Sequence, residues 1–407
     1  MKLPSILFVS TVDGDPWGGS EELWSRTALD LASRGFSVAA SVVGWEPPHP
    51  RVLELAKGGI DLSFRPLRYP PWKRALRRVR SRWKSPLVLE VERQIDLGAP
   101  ALVVLSDGGA FPNIELLEMC VAGGVRFATI GQSNSESSWM TDDIAERFRA
   151  TLPKALRCFF VSQANRRLAM KQLGCELPNA EVVWNPFNIE FGAAPPFPTY
   201  SEDEGLLLAC VARLHPPSKG QDILLEALAS PIWADRKWRL HLCGEGKMRD
   251  GLERMTRQFG ISDRVVMAGH IPVDKVWSEN QVLVMPSRYE GLPLAIVEAM
   301  LCGRTIVATD VAGNSEVIDD GVTGFLAKAP TAPALLEALE RLWMRRAQVE
   351  DIGRMAAARI RQLVPPDPIE VFSRKLRQMI PQERSANAKS VGAIDTIPRI
   401  GGEAPEQ

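Results

Sequence analysis

Short apolar runs and longer amphipathic stretches follow one another along this chain. SILFVS (5–10), FSVAASVV (36–43), ALVVLS (101–106), VRFATI (125–130) and RCFFVS (157–162) are apolar almost throughout. A strand covered on both faces reads this way, so each run predicts a buried strand. Between them, 21–34, 111–122 and 162–173 carry apolar residues at helical spacing. This alternation predicts a parallel sheet with helices on both faces, a first domain over 1–191.

Residues 192–205, GAAPPFPTYSEDEG, break the pattern and read as a linker. It then restarts with LLLACVAR (206–213), WRLHLCG (238–244), RVVMAG (264–269), QVLVMPS (281–287) and RTIVATD (304–310). Helical patterns fall at about 220–229, 247–259 and 292–302, and again over 332–363. A second doubly wound parallel-sheet domain is expected over 206–364. Residues 365–381 form one further amphipathic helix after Pro365-Pro366, and 382–407 lack large apolar residues and read as a disordered tail. Two such α/β domains leave a cleft between the carboxyl ends of their strands, where ligands bind in these folds.

Composition narrows the chemistry. The 407 residues include 49 Lys plus Arg and 49 Asp plus Glu, so the chain as a whole is not built to seek polyanions, and no nucleic-acid partner is expected. The six cysteines are scattered without metal or redox spacing, which suits a reducing, cytoplasmic compartment. The four histidines form no ligand pattern, so no protein metal site is expected. No run of 18 apolar residues suggests a membrane span. One segment departs from the balance: 65–84, RPLRYPPWKRALRRVRSRWK, has nine Lys or Arg and no acid. Read as a helix, Trp72, Leu76, Val79 and Trp83 share a face ringed by cations. That is either a peripheral contact with an anionic membrane, on its inner face, or a surface helix packed on its own domain.

Three segments carry candidate chemistry. DGDPWGGSEEL follows the first strand and opens a helix, with Gly18-Gly19 at the turn and Ser20 as a candidate cap. Such a turn brings backbone amides to an anion, or is a plain tight turn. ACVARLHPPSKGQDILLEAL opens the second domain, with Arg213 at a strand end and Lys219 six residues on. Together they are a clamp for a diphosphate leaving group, or two solvated cations. PSRYEGLPLAIVEAMLCG (286–303) sets Glu290 and Glu298 eight residues apart around Gly291-Leu292-Pro293. Glu290 suits sugar hydroxyls at the cleft mouth. Glu298, in a nearly apolar helix, needs a partner and suits a ribose diol. The loop from Asp310 to Glu316 is a further cleft loop.

Gly18-Gly19-Ser20-Glu21, Arg213 with Lys219-Gly220, Gly244-Glu245-Gly246 and the Glu290-x7-Glu298 segment together resemble glycosyltransferase family 4, in order and spacing over about 1–381. The resemblance implies the GT-B fold and a retaining transfer from a nucleotide-diphosphate sugar, a UDP- or GDP-hexose, to a hydroxyl of a glycan, lipid or small molecule. The nucleotide sugar is a co-substrate; no cofactor or obligatory metal is implied. Gly18, Gly19 and Gly244 would approach the donor, with Arg213 and Lys219 on its diphosphate. Glu290 and the Gly291 and Leu292 amides, next to Pro293, would hold the sugar, Glu298 the ribose, and backbone near His270-Ile271 the base. The family's usual histidine at the end of the fourth strand is replaced here by VVLSDGG, with Ser106 and Asp107. Asp107 either takes its place or caps a turn. His49, in a Pro-rich turn, reads as solvated. Glu21, Ser133 and Asn134 are candidates on the acceptor side. A nucleotide-sugar epimerase or hydrolase, and a catalytically degenerate binding protein, are the alternatives on this fold.

Overall fold

The computed structural model describes residues 4–69, 84–192, 195–199, 201–203 and 205–381. Its two sheets are parallel throughout. The first contains β1 (Ser5–Ser10), β2 (Ser37–Gly44), β3 (Asp61–Pro66), β4 (Leu102–Asp107), β5 (Phe127–Gly131), β6 (Cys158–Phe160) and β7 (Ala180–Val182). Their order is β3-β2-β1-β4-β5-β6-β7. The second contains β8 (Leu206–Val211), β9 (Trp238–Cys243), β10 (Val265–Gly269), β11 (Val282–Met285), β12 (Thr305–Thr309) and β13 (Gly324–Ala327), ordered β10-β9-β8-β11-β12-β13. The doubly wound fold expected from the hydrophobic pattern is therefore present in both halves.

The central strands show why the pattern was continuous rather than alternating. In β1, Ile6 and Phe8 pack with Trp24 and Leu31, while Leu7 and Val9 face Val88, Val91 and Leu116 on the opposite side. In β8, Leu206, Leu208 and Cys210 join Leu224 and Trp233, and Ala209 faces Ile296 and Met300. Each sheet buries both faces, which requires apolar residues at successive positions.

Three strands escape the sequence pattern. β3 is an edge strand of mixed exposure ending in Pro66, β7 has three half-buried residues, and β13 follows a turn with only four. Helices Pro50–Lys57, Pro86–Gly98 and Asp142–Thr151 were also not foreseen, and the 332–363 helical stretch is two helices, Ala332–Met344 and Val349–Leu363, split by a tight turn at Arg346–Gln348. The basic stretch needs correction at its start. Arg65 lies in β3 and is buried, its guanidinium donating to the Ser10 and Ser41 carbonyls, so it belongs to no cationic helix face. Residues 70–83, which carry most of that charge, and the 382–407 tail lie outside the described residues. No described helix is long and apolar enough to cross a membrane.

Helix Pro368–Met379 packs on the first sheet's core through Ile369, Phe372 and Leu376, with Phe372 edge-on to Phe159 at 5.0 Å. Lys375 pairs with Glu181, and Arg34 with Glu370. Helix Pro368–Met379, which follows the second sheet in sequence, thus packs on the first domain.

Candidate active site

The loops that follow β1, β4, β5 and β6 face those that follow β8, β11 and β12. The helix Gly19–Ser33 begins directly after the first loop. Its cap is Gly18 in extended backbone, with no side-chain capping bond, so Ser20 lies inside the first turn rather than at the cap. A helix start left open this way presents free amides and a partial positive charge. Gly19 faces the second domain: a Cβ built there would lie 3.3 Å from Leu294 Cδ1.

Lys219 ends the short helix Pro216–Lys219, and its Nζ meets Glu290 Oε1 at 2.5 Å. Ser287 Oγ donates to the same oxygen at 2.8 Å. Glu290 is only 6% exposed, and its Oε2 takes no donor among the described residues. Arg213, exposed at the end of β8, reaches across to Asp15 in the first loop. His215 lies between these cations; burial, then the Arg213 and Lys219 charges, lower its pKa and favour a neutral imidazole. The structure thus brings Arg213, Lys219 and Glu290 to one place, opposite the glycine turn.

Gly291 and Leu292 precede the helix Leu294–Leu301, which is capped by Pro293. Neither amide has an acceptor among the described residues. Gly291 has to be glycine for packing: a Cβ would sit 2.0 Å from the Gln132 carbonyl oxygen of the first domain. Gly244 is constrained within its own domain, with φ of 149° and a would-be Cβ 2.1 Å from the Ala212 carbonyl oxygen. Its amide bonds the Gly269 carbonyl at 2.7 Å, just before the exposed His270 and half-buried Ile271. Glu298, one turn into its helix, is 4% exposed. Its Oε1 accepts from the Asn188 amide at 2.8 Å and side chain at 3.0 Å. Burial pushes its carboxyl up, against these two bonds.

On the first-domain side, Asp107 braces loops. One oxygen accepts from the Thr11 hydroxyl and the other from the Gly109 amide at 2.8 Å; burial nevertheless raises its pKa. Ser133 gives both its amide and its hydroxyl to the Gly108 carbonyl. The Asn134 amide meets the Glu290 carbonyl at 3.3 Å, and its side chain bonds Gln172. Ser133 and Asn134, but not Asp107, line a pocket of about 360 Å³ with Phe111, Ser137 and Tyr289. Glu21 is buried, accepting from Ser10 Oγ and Trp24 Nε1, each at 3.0 Å; burial pushes its carboxyl up to about 7. Its two oxygens are thus held inside the first domain. His49 is not a solvated turn residue. It caps the helix Pro50–Lys57 and stacks on Trp17 at 5.3 Å, near enough to His270 to feel its charge.

Several residues of the cleft were not singled out from the sequence. Glu316, within the expected cleft loop, caps a first-domain helix: its oxygens accept from the Gln163 and Ala164 amides at 3.0 and 2.6 Å. Asn165 donates to the Gln132 and Glu290 carbonyls at 3.3 and 3.2 Å. Asp15 and Asn188 have no distinguishing spacing, because their partners are distant in sequence, and His215, beside Ser218, Arg213 and Lys219, belongs to no motif.

Residues 205–345 match the family described as Glycosyl transferases group 1. Among curated proteins, the chain is 31% identical over 167 residues to the alpha-D-kanosaminyltransferase of Streptomyces kanamyceticus, covering 39% of this chain and 43% of that protein. It is 34% identical over 166 residues to the D-inositol 3-phosphate glycosyltransferase of Segniliparus rotundus, covering 37% and 36%. The matched stretches thus span less than half of either relative. Among solved structures, Anabaena Alr3699/HepE in complex with UDP superposes with a TM-score of 0.70 at 19% identity, covering 92% of this chain and all of that one. Sucrose-phosphate synthase from Thermosynechococcus elongatus gives 0.71 at 19% identity, covering 92% and 98%. The chain therefore has the GT-B fold, and its residues 205–345 match the model of the group 1 glycosyl transferases.

Proposed function

We propose that this protein is a retaining glycosyltransferase that moves a hexose-type sugar from a UDP- or GDP-sugar to an acceptor hydroxyl. The observation that carries the reading is the Lys219–Glu290 pair, set beside Arg213 and opposite the uncapped start of the helix Gly19–Ser33. A departing nucleoside diphosphate concentrates negative charge. Two fixed cations and an open helix start stabilise that charge as it develops, with little reorganisation and without a metal. Glu290 orients Lys219 and keeps one oxygen for a sugar hydroxyl, while the Gly291 and Leu292 amides sit beside it. The domain contacts through Gln132, Asn165 and Glu316 exclude water from the reacting sugar, so that the acceptor hydroxyl, not water, attacks. The pocket at Ser133 and Tyr289, adjoining Glu290, is the place for the acceptor. Attack from the face that the diphosphate leaves is the stereochemistry implied by the resemblance to family 4.

The test is calorimetric titration of UDP, GDP and ADP into the wild type and Lys219→Ala. One nucleotide is expected to bind the wild type at micromolar Kd, with the variant losing at least about 1.5 kcal/mol, as for a lost charge-assisted contact. Failure of all three to bind the folded protein overturns the reading. Turnover unchanged in EDTA is expected from charge stabilisation by side chains; its loss sinks the metal-independent step.

A further inference from the structure

Glu22 is a buried carboxylate with one oxygen that the protein leaves unused. It lies on the helix Gly19–Ser33 and is 6% exposed. Its Oε1 accepts from Trp17 Nε1 at 2.7 Å and lies 3.9 Å from Arg51 Nε. Its Oε2 is buried and accepts nothing. A buried carboxylate oxygen without a donor is costly, and native structures retain one where a ligand supplies the missing bond.

The position of Glu22 shows which ligand. At the start of its helix, Gly19 packs against Leu294. One turn beyond Glu22, Arg26 Nη1 donates to the Phe187 carbonyl at 3.1 Å, and the next residue, Asn188, holds Glu298 Oε1. Residues four apart share a helix face, so the face carrying Glu22 and Arg26 runs along the segment from Leu294 to Glu298. Glu298 Oε2 also takes no donor among the described residues. The two carboxylates feel each other's charge, and on its other side Glu22 acts on His49, which in turn feels His270. Two carboxyl groups from opposite domains, each with an oxygen that takes no donor among the described residues, thus lie near one another. Two adjacent hydroxyls, each a donor, would satisfy both at once.

We propose that Glu22 completes the nucleoside site from the first domain, so that the ribose diol of the donor is clasped between Glu298 and Glu22. This rests on the nucleotide-sugar reading above, and it makes ribose binding a contact that draws the domains together. The His49–Trp17 stack then lies beside the base, across from His270.

The experiment pairs variants with matched ligands. Wild type, Glu22→Gln and Glu22→Ala of the full chain are titrated with UDP or GDP, whichever the wild type binds, and with its 2′,3′-dideoxy analogue. Glu22→Ala is expected to weaken the ribonucleotide at least tenfold and the dideoxy analogue less than twofold. Glu22→Gln keeps an acceptor for Trp17 and is expected to lose less. Equal losses for both ligands would show a packing role or a bridging cation and overturn the proposal, as would no loss for either. Nucleotide binding by the wild type with no effect of Glu22 sinks this inference alone. Absence of nucleotide binding by the wild type sinks the donor-site reading with it.

Discussion

The two halves of the cleft are built from the same fold but furnished differently. The second domain contributes charged side chains at fixed positions: Arg213 just past β8, Lys219 at the end of a short helix, Glu290 in the loop before helix Leu294–Leu301, and Glu298 one turn into it. The first domain contributes mainly backbone and neutral polar groups, including the glycine turn, the Gln132 carbonyl, Ser133 and Asn134; of its acids, Asp15 pairs with Arg213, Glu22 is buried with one oxygen unused, and Glu21 and Asp107 have their oxygens engaged inside the fold. The match to group 1 glycosyl transferases falls within the second half. On the proposed reading, the half that would meet the charged leaving group has to place point charges, whereas the half that would meet an acceptor hydroxyl can work through shape and neutral hydrogen bonds, which many residue types supply.

Breaking the charged half should cost most. Lys219→Ala leaves Glu290 buried without its counter-charge and is expected to lower kcat/KM by about 10²–10³, or roughly 2.7–4 kcal/mol, as for loss of a group aimed at developing charge. Steady-state kinetics check it, and a loss under threefold would show that the two halves differ less than their side chains suggest. In the first domain the comparable effect is on stability rather than rate. Glu21 keeps its proton to about pH 7 in the folded state, against an ordinary value of 4.5. The folded state therefore binds more protons than the unfolded state between these values. Stability should fall as pH rises from about 4.5 to 7, by about 3 kcal/mol for a shift of that size, and stay low above it. Denaturant melts across this range should show the slope for wild type and a flatter one for Glu21→Gln.

Closure between the halves is open to finer tests. In Gly291→Ala the added methyl would meet the Gln132 carbonyl, so closure should cost about 1–3 kcal/mol, with kcat down about tenfold and nucleotide affinity nearly kept. Small-angle scattering with UDP should then report a larger radius of gyration than for wild type. Glu316→Ala removes the carboxylate that caps helix Gln163–Leu173 from the other domain, and should cost about 1 kcal/mol. Thermal melts should show this as a small drop, and an unchanged melt would mean that the cap holds no closure energy.

Much of the scaffold was legible in the chain. Nine of the ten strands read from the sequence were visible because two-sided burial writes a continuous apolar run, and β10, an edge strand of mostly half-buried residues, because its own run is unbroken. β3, β7 and β13 were not, being short, of mixed exposure or at an edge, where the run is broken. The Glu290-x7-Glu298 segment was legible because a carboxylate in an apolar helix has no solvated alternative. His49 was misread because a Pro-rich turn says nothing of the Trp17 ring that packs on it.

The sequence by itself determined the two parallel sheets and set charged residues near the ends of their strands, since these follow from local periodicity and from neighbours a few positions away. Only the tertiary structure decided which charges meet. Lys219 with Glu290, Arg213 with Asp15, Glu316 with the Gln163 and Ala164 amides, and the unused oxygen of Glu22 near Glu298 all join segments some 70 to 280 residues apart. No spacing rule reaches across such separations, because the partners are chosen by the packing of two cores and by how their loops close on one cleft.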